Sequence, residues 1–135
     1  MRLLLDTSAY AAWKRGDECV VALVRNASEI LVSAVVAGEL QFGFRQGSRY
    51  EKNMAEFREF PGSPYVTAID ATLTTADRFA RIAAELRRKG SPIPTNDIWI
   101  AAQCQETGAV LITYDVHFFE IEGQRIWDRC ASGGK

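Results

Sequence analysis

The sequence predicts an α/β fold in which a parallel sheet is covered by helices on both faces. Short apolar runs alternate with longer amphipathic stretches, and no hairpin-length turn joins one run to the next. At 135 residues and 47% hydrophobic content the chain is the size of one domain with a real core.

The elements follow in order. "RLLL" at 2–5 is a buried first strand ending at Asp6, and "DTSAYAAWKRG" is a short helix that Asp6, Thr7 or Ser8 could cap and Gly16 closes. "DECVVALVRNA" at 17–27 has the apolar spacing of a second helix, and "EILVS" at 29–33 is a second strand. "AVVAGELQFGFRQG" at 34–47 is a helix with Val35, Leu40 and Phe42 partly buried. "SRYEKNMAEFREF" at 48–60 is another, with Tyr50, Met54 and Phe57 on one face.

"PGSP" breaks the chain, and "YVTAI" at 65–69 is a third strand. The longest helical pattern, 70–90, ends in a basic turn that suits the helix dipole. After the loop "SPIPT" come a helix at 96–108, a strand "AVLIT" at 109–113 and a weaker strand "GQRIW" at 123–127. The expected domain runs over 1–128, with 129–135 a frayed tail.

Composition narrows the function. No apolar stretch is long enough to span a membrane, and "MRLLLDTSAY" is too short for a signal-peptide core, so a cytoplasmic protein is expected. Cys19, Cys104 and Cys130 form no CxxC pair and read as reduced thiols. With His117 as the only histidine, a zinc site of the usual cysteine–histidine type is not expected. The net charge of −1 lacks the basic excess of a nucleic-acid binder, unless some acids are neutralised by metal.

The acids supply that condition. Sites in open α/β sheets form beyond the carboxyl ends of the strands. Asp6 follows the first strand directly, and Asp115 follows "VLIT" after one residue. Glu39 lies about one and a half turns into the helix after "ILVS", and Asp97 opens the apolar helix "IWIAA". Each has a plainer reading: Asp6 as a cap, Glu39 as a salt-bridged helix residue, Asp97 or Asn96 as a cap, Asp115 as a turn residue. Their coincidence on one edge favours a shared role. Gathered carboxylates repel unless a cation joins them, and oxygen donors suit Mg²⁺ or Mn²⁺. The chemistry so implied is metal-dependent phosphodiester hydrolysis.

"LLLDTSAY", "SAVVAGELQFG", "PIPTNDIWIAAQCQETGAVLITYDVHF" and "GQRIWD" resemble a PIN domain, more narrowly the VapC-type toxins of toxin–antitoxin pairs, over about residues 2 to 128. The resemblance implies a three-layer αβα sandwich with a central, mostly parallel sheet, and a Mg²⁺- or Mn²⁺-dependent endoribonuclease. Asp6, Glu39, Asp97 and Asp115 fall on the family's acidic positions, with Asp6, Asp97 and Asp115 expected to hold the metal directly or through waters and Glu39 to act on one of those waters. Thr7, Ser8, Asn96 and Thr113 would support them. The resemblance also implies a homodimer and a cognate VapB-type antitoxin. One departure stands out: the place three positions after Asp115, acidic in many relatives, is Phe118 here.

Arg45, Arg49, Lys52, Arg87, Arg88 and Lys89 are the candidate RNA contacts, each also readable as part of a solvated helix face. His117 could touch RNA but reads more readily as a packing or hydrogen-bonding residue, and Trp13 and Trp99 read as core or dimer-interface residues rather than base-stacking platforms. Two rival functions are a non-catalytic scaffold with the same fold and an aspartate-based phosphotransfer domain. The second lacks an Asp at Ser8 and a lysine in "LITYDVH", where such enzymes and receivers need them.

Overall fold

The computed structural model describes residues 1–127, so the expected domain end at 128, the tail over 129–135 and Cys130 lie outside the described residues. Strands β1 (Arg2–Leu5), β2 (Glu29–Ser33), β3 (Val66–Ile69), β4 (Val110–Ile112) and β5 (Ile126–Trp127) form one sheet in the order β3-β2-β1-β4-β5. Every pairing is parallel. Helices α1 (Thr7–Lys14), α2 (Glu18–Asn26), α3 (Ala34–Gln46), α4 (Tyr50–Glu59), α5 (Leu73–Lys89) and α6 (Thr95–Thr107) complete the expected three-layer αβα arrangement.

The sequence of β1 explains its place. Leu3, Leu4 and Leu5 are all buried, which only a strand with neighbours on both sides and helices on both faces can achieve. Leu111 and Ile112 of β4 and Ile100 of α6 extend the same core. β3, at the sheet edge, leaves Thr67 and Ala68 exposed.

Short polar side chains start the helices. Asp17 accepts from the Val20 N–H at the head of α2, Ser33 accepts from Val35 and Val36 at the head of α3, and Thr72 with Thr75 forms a capping box for α5. Gly90 and Gly108, at φ 71° and 74°, end α5 and α6 in the left-handed conformation that glycine adopts without a Cβ penalty. α6 begins one residue earlier than expected, behind Pro94, whose ring presets the entry to a helix.

The chain builds β1, β2 and β3 outward in one direction, then crosses to the other side of β1 to lay down β4 and β5. The direction of winding therefore reverses between β1 and β4, and the crevice at their carboxyl ends is where such folds place ligands. The Asp6 N–H donates to the Ile112 carbonyl at 3.2 Å, which carries the β1–β4 pairing to the lip of that crevice. Among the described residues no helix is long and apolar enough to cross a membrane. Cys104 is a buried free thiol, as expected, whereas Cys19 is disulfide-bonded, which corrects the expectation of reduced thiols throughout.

Candidate active site

Asp6 is 5% exposed and fully engaged. One carboxylate oxygen accepts from the Ala9 N–H at 2.8 Å, which caps α1, and from the Ser8 hydroxyl at 2.7 Å. The other accepts from the Thr113 hydroxyl. Ser8 Oγ also accepts from the Tyr114 N–H at 3.0 Å, tying the loop after β4 to the start of α1. Tyr114 adds a second tie, donating its hydroxyl to Asp17 at 2.8 Å. The plain reading of Asp6 as a cap is thus correct and does not exhaust it: the same residue stands at the reversal point of the sheet.

Glu39 approaches from α3. The Thr7 hydroxyl donates to its Oε1 at 2.9 Å and the Asn96 side-chain amide to its Oε2 at 3.3 Å. Three separate elements, α1, α3 and α6, meet through this one side chain. Asp97 lies in the first turn of α6, and neither it nor Asn96 is the cap, because the residue flanking the helix is Pro94. The capping alternative for both is thereby set aside. Asp115 caps a short 3-10 helix over Val116–Glu120, accepting from the His117 N–H at 2.9 Å.

The electrostatics report the crowding. Burial pushes the Asp97 carboxyl up to about 6, and the neighbouring charges of Asp115, Glu39 and Asp6 push the same way against a hydrogen bond from His117. Asp6 is also raised, first by burial and last by Asp115, with Thr113, Ala9 and Ser8 opposing. Each expected acid therefore contributes to one pocket of negative potential.

His117 was not expected there. Its Nδ1 lies 3.0 Å from Asp115 Oδ1 and 3.5 Å from Asp97 Oδ2. Asp97, Asp115 and His117 offer ligand atoms all within 4.8 Å of one another, a group that could hold a metal ion. Counting from Asp115 put Phe118 at the position relatives fill with an acid, but Phe118 is fully buried in the core. The side chain facing the carboxylates is the one before it.

Several of the proposed RNA contacts are engaged with neighbouring side chains or backbone. Lys52 pairs with Glu56 at 3.9 Å and Arg88 pairs with Glu85. Lys89 donates to the Glu120 carbonyl at 2.6 Å, which puts it against the 3-10 helix that Asp115 caps. Arg45 donates to the Tyr50 hydroxyl at 3.0 Å and lies over its ring. Arg49 and Arg87 are exposed and form no ion pair among the described residues. Trp99 and Trp13 pack within the fold, Trp99 stacked on Phe79 with centroids 4.2 Å apart and Trp13 against Phe60 at 5.0 Å.

Comparison with known proteins gives a consistent picture. The family model described as PIN domain matches residues 3–124. The chain is 30% identical over 122 residues to ribonuclease VapC2 of Haemophilus influenzae, covering 89% of this chain and 91% of that protein. It is 32% identical over 106 residues to the tRNA(fMet)-specific endonuclease VapC of Salmonella typhimurium, covering 78% and 79% respectively. Among solved structures, DNA-bound VapBC from Salmonella typhimurium superposes with a TM-score of 0.82 at 28% identity, over 94% of this chain and 97% of that one.

Proposed function

The chain belongs to the PIN-domain family, and from that premise we propose that it is a Mg²⁺- or Mn²⁺-dependent endoribonuclease, the toxin of a type II toxin–antitoxin pair. The observation that carries the reading is the meeting of four carboxylates from distant segments, Asp6, Glu39, Asp97 and Asp115, at the reversal point of the sheet. Asp6 and Asp115 also cap helices, but capping does not require four carboxylates to face one another in a partly buried place. A divalent cation removes the repulsion.

Asp97 and Asp115 would hold the ion, with Asp6 beside them and Glu39 reaching it through water. When bound, the cation supplies Lewis acidity, lowering the pKa of a water and offsetting charge on the phosphate under attack. The chain's own groups orient that chemistry. Thr113 and Ser8 restrain the Asp6 carboxylate, while Thr7 and Asn96 occupy both oxygens of Glu39 and fix its reach toward the Asp97 helix. Hydrolysis would leave a 5′-phosphate and a 3′-hydroxyl.

The relatives named as ribonucleases support RNA as substrate, and the relatives solved as VapBC complexes support a VapB-type antitoxin as partner. A homodimer working in the cytoplasm belongs to the same proposal. The scaffold alternative predicts no metal response. Incubating the purified protein with total RNA in Mg²⁺, in Mn²⁺ and in EDTA tests the choice: fragments with 5′-phosphates are expected only with metal. Undiminished cutting by Asp97→Asn, or in EDTA, would overturn the reading.

A further inference from the structure

The donor set around the site is not made of oxygen alone. His117 Nδ1 stands 3.0 Å from Asp115 Oδ1 and 3.5 Å from Asp97 Oδ2. Adjacent donors on an octahedral ion are separated by √2 times the bond length, about 3.0 Å for bonds of about 2.1 Å. Asp115 Oδ1 stands at that spacing from the imidazole nitrogen, and Asp97 Oδ2, at 3.5 Å, lies a little beyond it.

The backbone holds it there. Asp115 Oδ1 accepts the His117 N–H at 2.9 Å, which turns the start of the 3-10 helix back on the aspartate. Phe118, with no exposed surface, is anchored in the core. With Phe118 pinned inward and the turn closed on Asp115, the His117 ring is presented to Asp97 and Asp115.

Building on the reading of this site as a divalent-cation centre, we propose that His117 is a direct nitrogen ligand and that the site prefers Mn²⁺, or another borderline first-row ion, over Mg²⁺. Mg²⁺ takes oxygen donors and gives up its waters reluctantly, whereas imidazole suits the later, softer ions. One nitrogen in the set therefore shifts selectivity, not merely affinity. The competing role for the ring, an imidazolium that fills the site until a cation displaces it, makes the opposite prediction for its removal.

The test is a calorimetric titration of the metal-free protein with Mn²⁺ and with Mg²⁺ at mildly alkaline pH, comparing wild type with His117→Ala. Electron spin-echo spectra of the Mn²⁺ complexes accompany it. We expect the variant to lose about tenfold in Mn²⁺ affinity while Mg²⁺ binding changes far less, and the ¹⁴N modulation seen in wild type to vanish. Because the His117 side chain is 49% exposed, the metal-free variant should melt close to wild type, and His117→Gln serves as a second substitution. Tighter or unchanged Mn²⁺ binding, or bound Mn²⁺ without nitrogen modulation, overturns the ligand and leaves the metal-nuclease reading standing. Failure of the wild type to bind Mn²⁺ while it binds Mg²⁺ overturns the ligand alone, and failure to bind either ion overturns both.

Discussion

The Thr7 hydroxyl reaches across 32 positions of sequence to donate a 2.9 Å hydrogen bond to Glu39. It is one of two donors that fix this carboxylate, the other being Asn96 on α6. Thr7→Val keeps the shape and removes the donor. Single-turnover cleavage should slow by about tenfold, the rate equivalent of one hydrogen bond to a charged group, while the melting temperature changes little.

Asp6→Asn separates the two duties of Asp6. Asparagine caps a helix as well as aspartate does, so α1 should persist and urea unfolding should change by no more than about 1 kcal/mol. The charge facing Asp115 and Asp97 is lost, and cleavage should fall on the order of a hundredfold or more. A variant that cuts RNA at the wild-type rate removes Asp6 from the mechanism.

The raised carboxyl of Asp97 sets a pH dependence whose sign can be worked out. A folded-state value of about 6 against an ordinary 3.8 means the folded protein binds this proton more tightly than the unfolded chain. The group therefore opposes folding at neutral pH and ceases to do so as pH falls through about 6 toward about 4. Asp6 acts in the same direction. Asp17 and Glu29, held low by hydrogen bonds from Tyr114 and Thr67, lose their contributions only at more acid pH. In EDTA, denaturation should show a gain of about 1–3 kcal/mol on acidification across that window. Asp97→Asn should remove most of that gain, leaving the smaller share that Asp6 contributes, together with the stabilisation by Mn²⁺. A wild type that weakens steadily over the same range contradicts the assignment.

Phosphate contacts by surface cations appear as a loss of RNA binding with rising salt. Lys52 and Arg88 already face Glu56 and Glu85, so their replacement by alanine should scarcely alter the slope of log affinity against log salt. Arg49 and Arg87 are exposed without such partners among the described residues, and replacing either should lower the slope by about one unit if RNA runs past them.

Ser33 tests what holds α3 in place. Its hydroxyl caps two backbone N–H groups and donates to the buried Gln103 side-chain carbonyl, while Gln103 Nε2 has no partner among the described residues. Ser33→Ala should cost about 2 kcal/mol or more in urea unfolding. Adding Gln103→Met should recover part of that loss, because removing both partners leaves fewer buried polar atoms unsatisfied.

The strands and the four acids were legible because each rests on a local rule. A short apolar run ending in Asp6, or in "LIT" before Asp115, marks a strand and the edge beyond it. His117 was not legible for a specific reason. Counting from Asp115 assigned the acidic position to Phe118, and only the tertiary structure shows the chain turning through a short 3-10 helix that sends Phe118 inward. The start of α6 was misplaced for a related reason. Asn96 and Asp97 look like caps, but the helix already begins at Thr95, behind Pro94, so both fall in its first turn. Pairing of the surface cations depends on side chains brought together by helix faces, and residue type alone does not reveal it.

The strand order has a consequence for synthesis. Because β4 inserts beside β1 only after β2 and β3 are laid down on the other side, Asp6 waits more than a hundred positions for its neighbour Thr113. A polypeptide emerging from the ribosome cannot complete the cluster until Asp115 has cleared it, and any product truncated earlier lacks that carboxylate altogether.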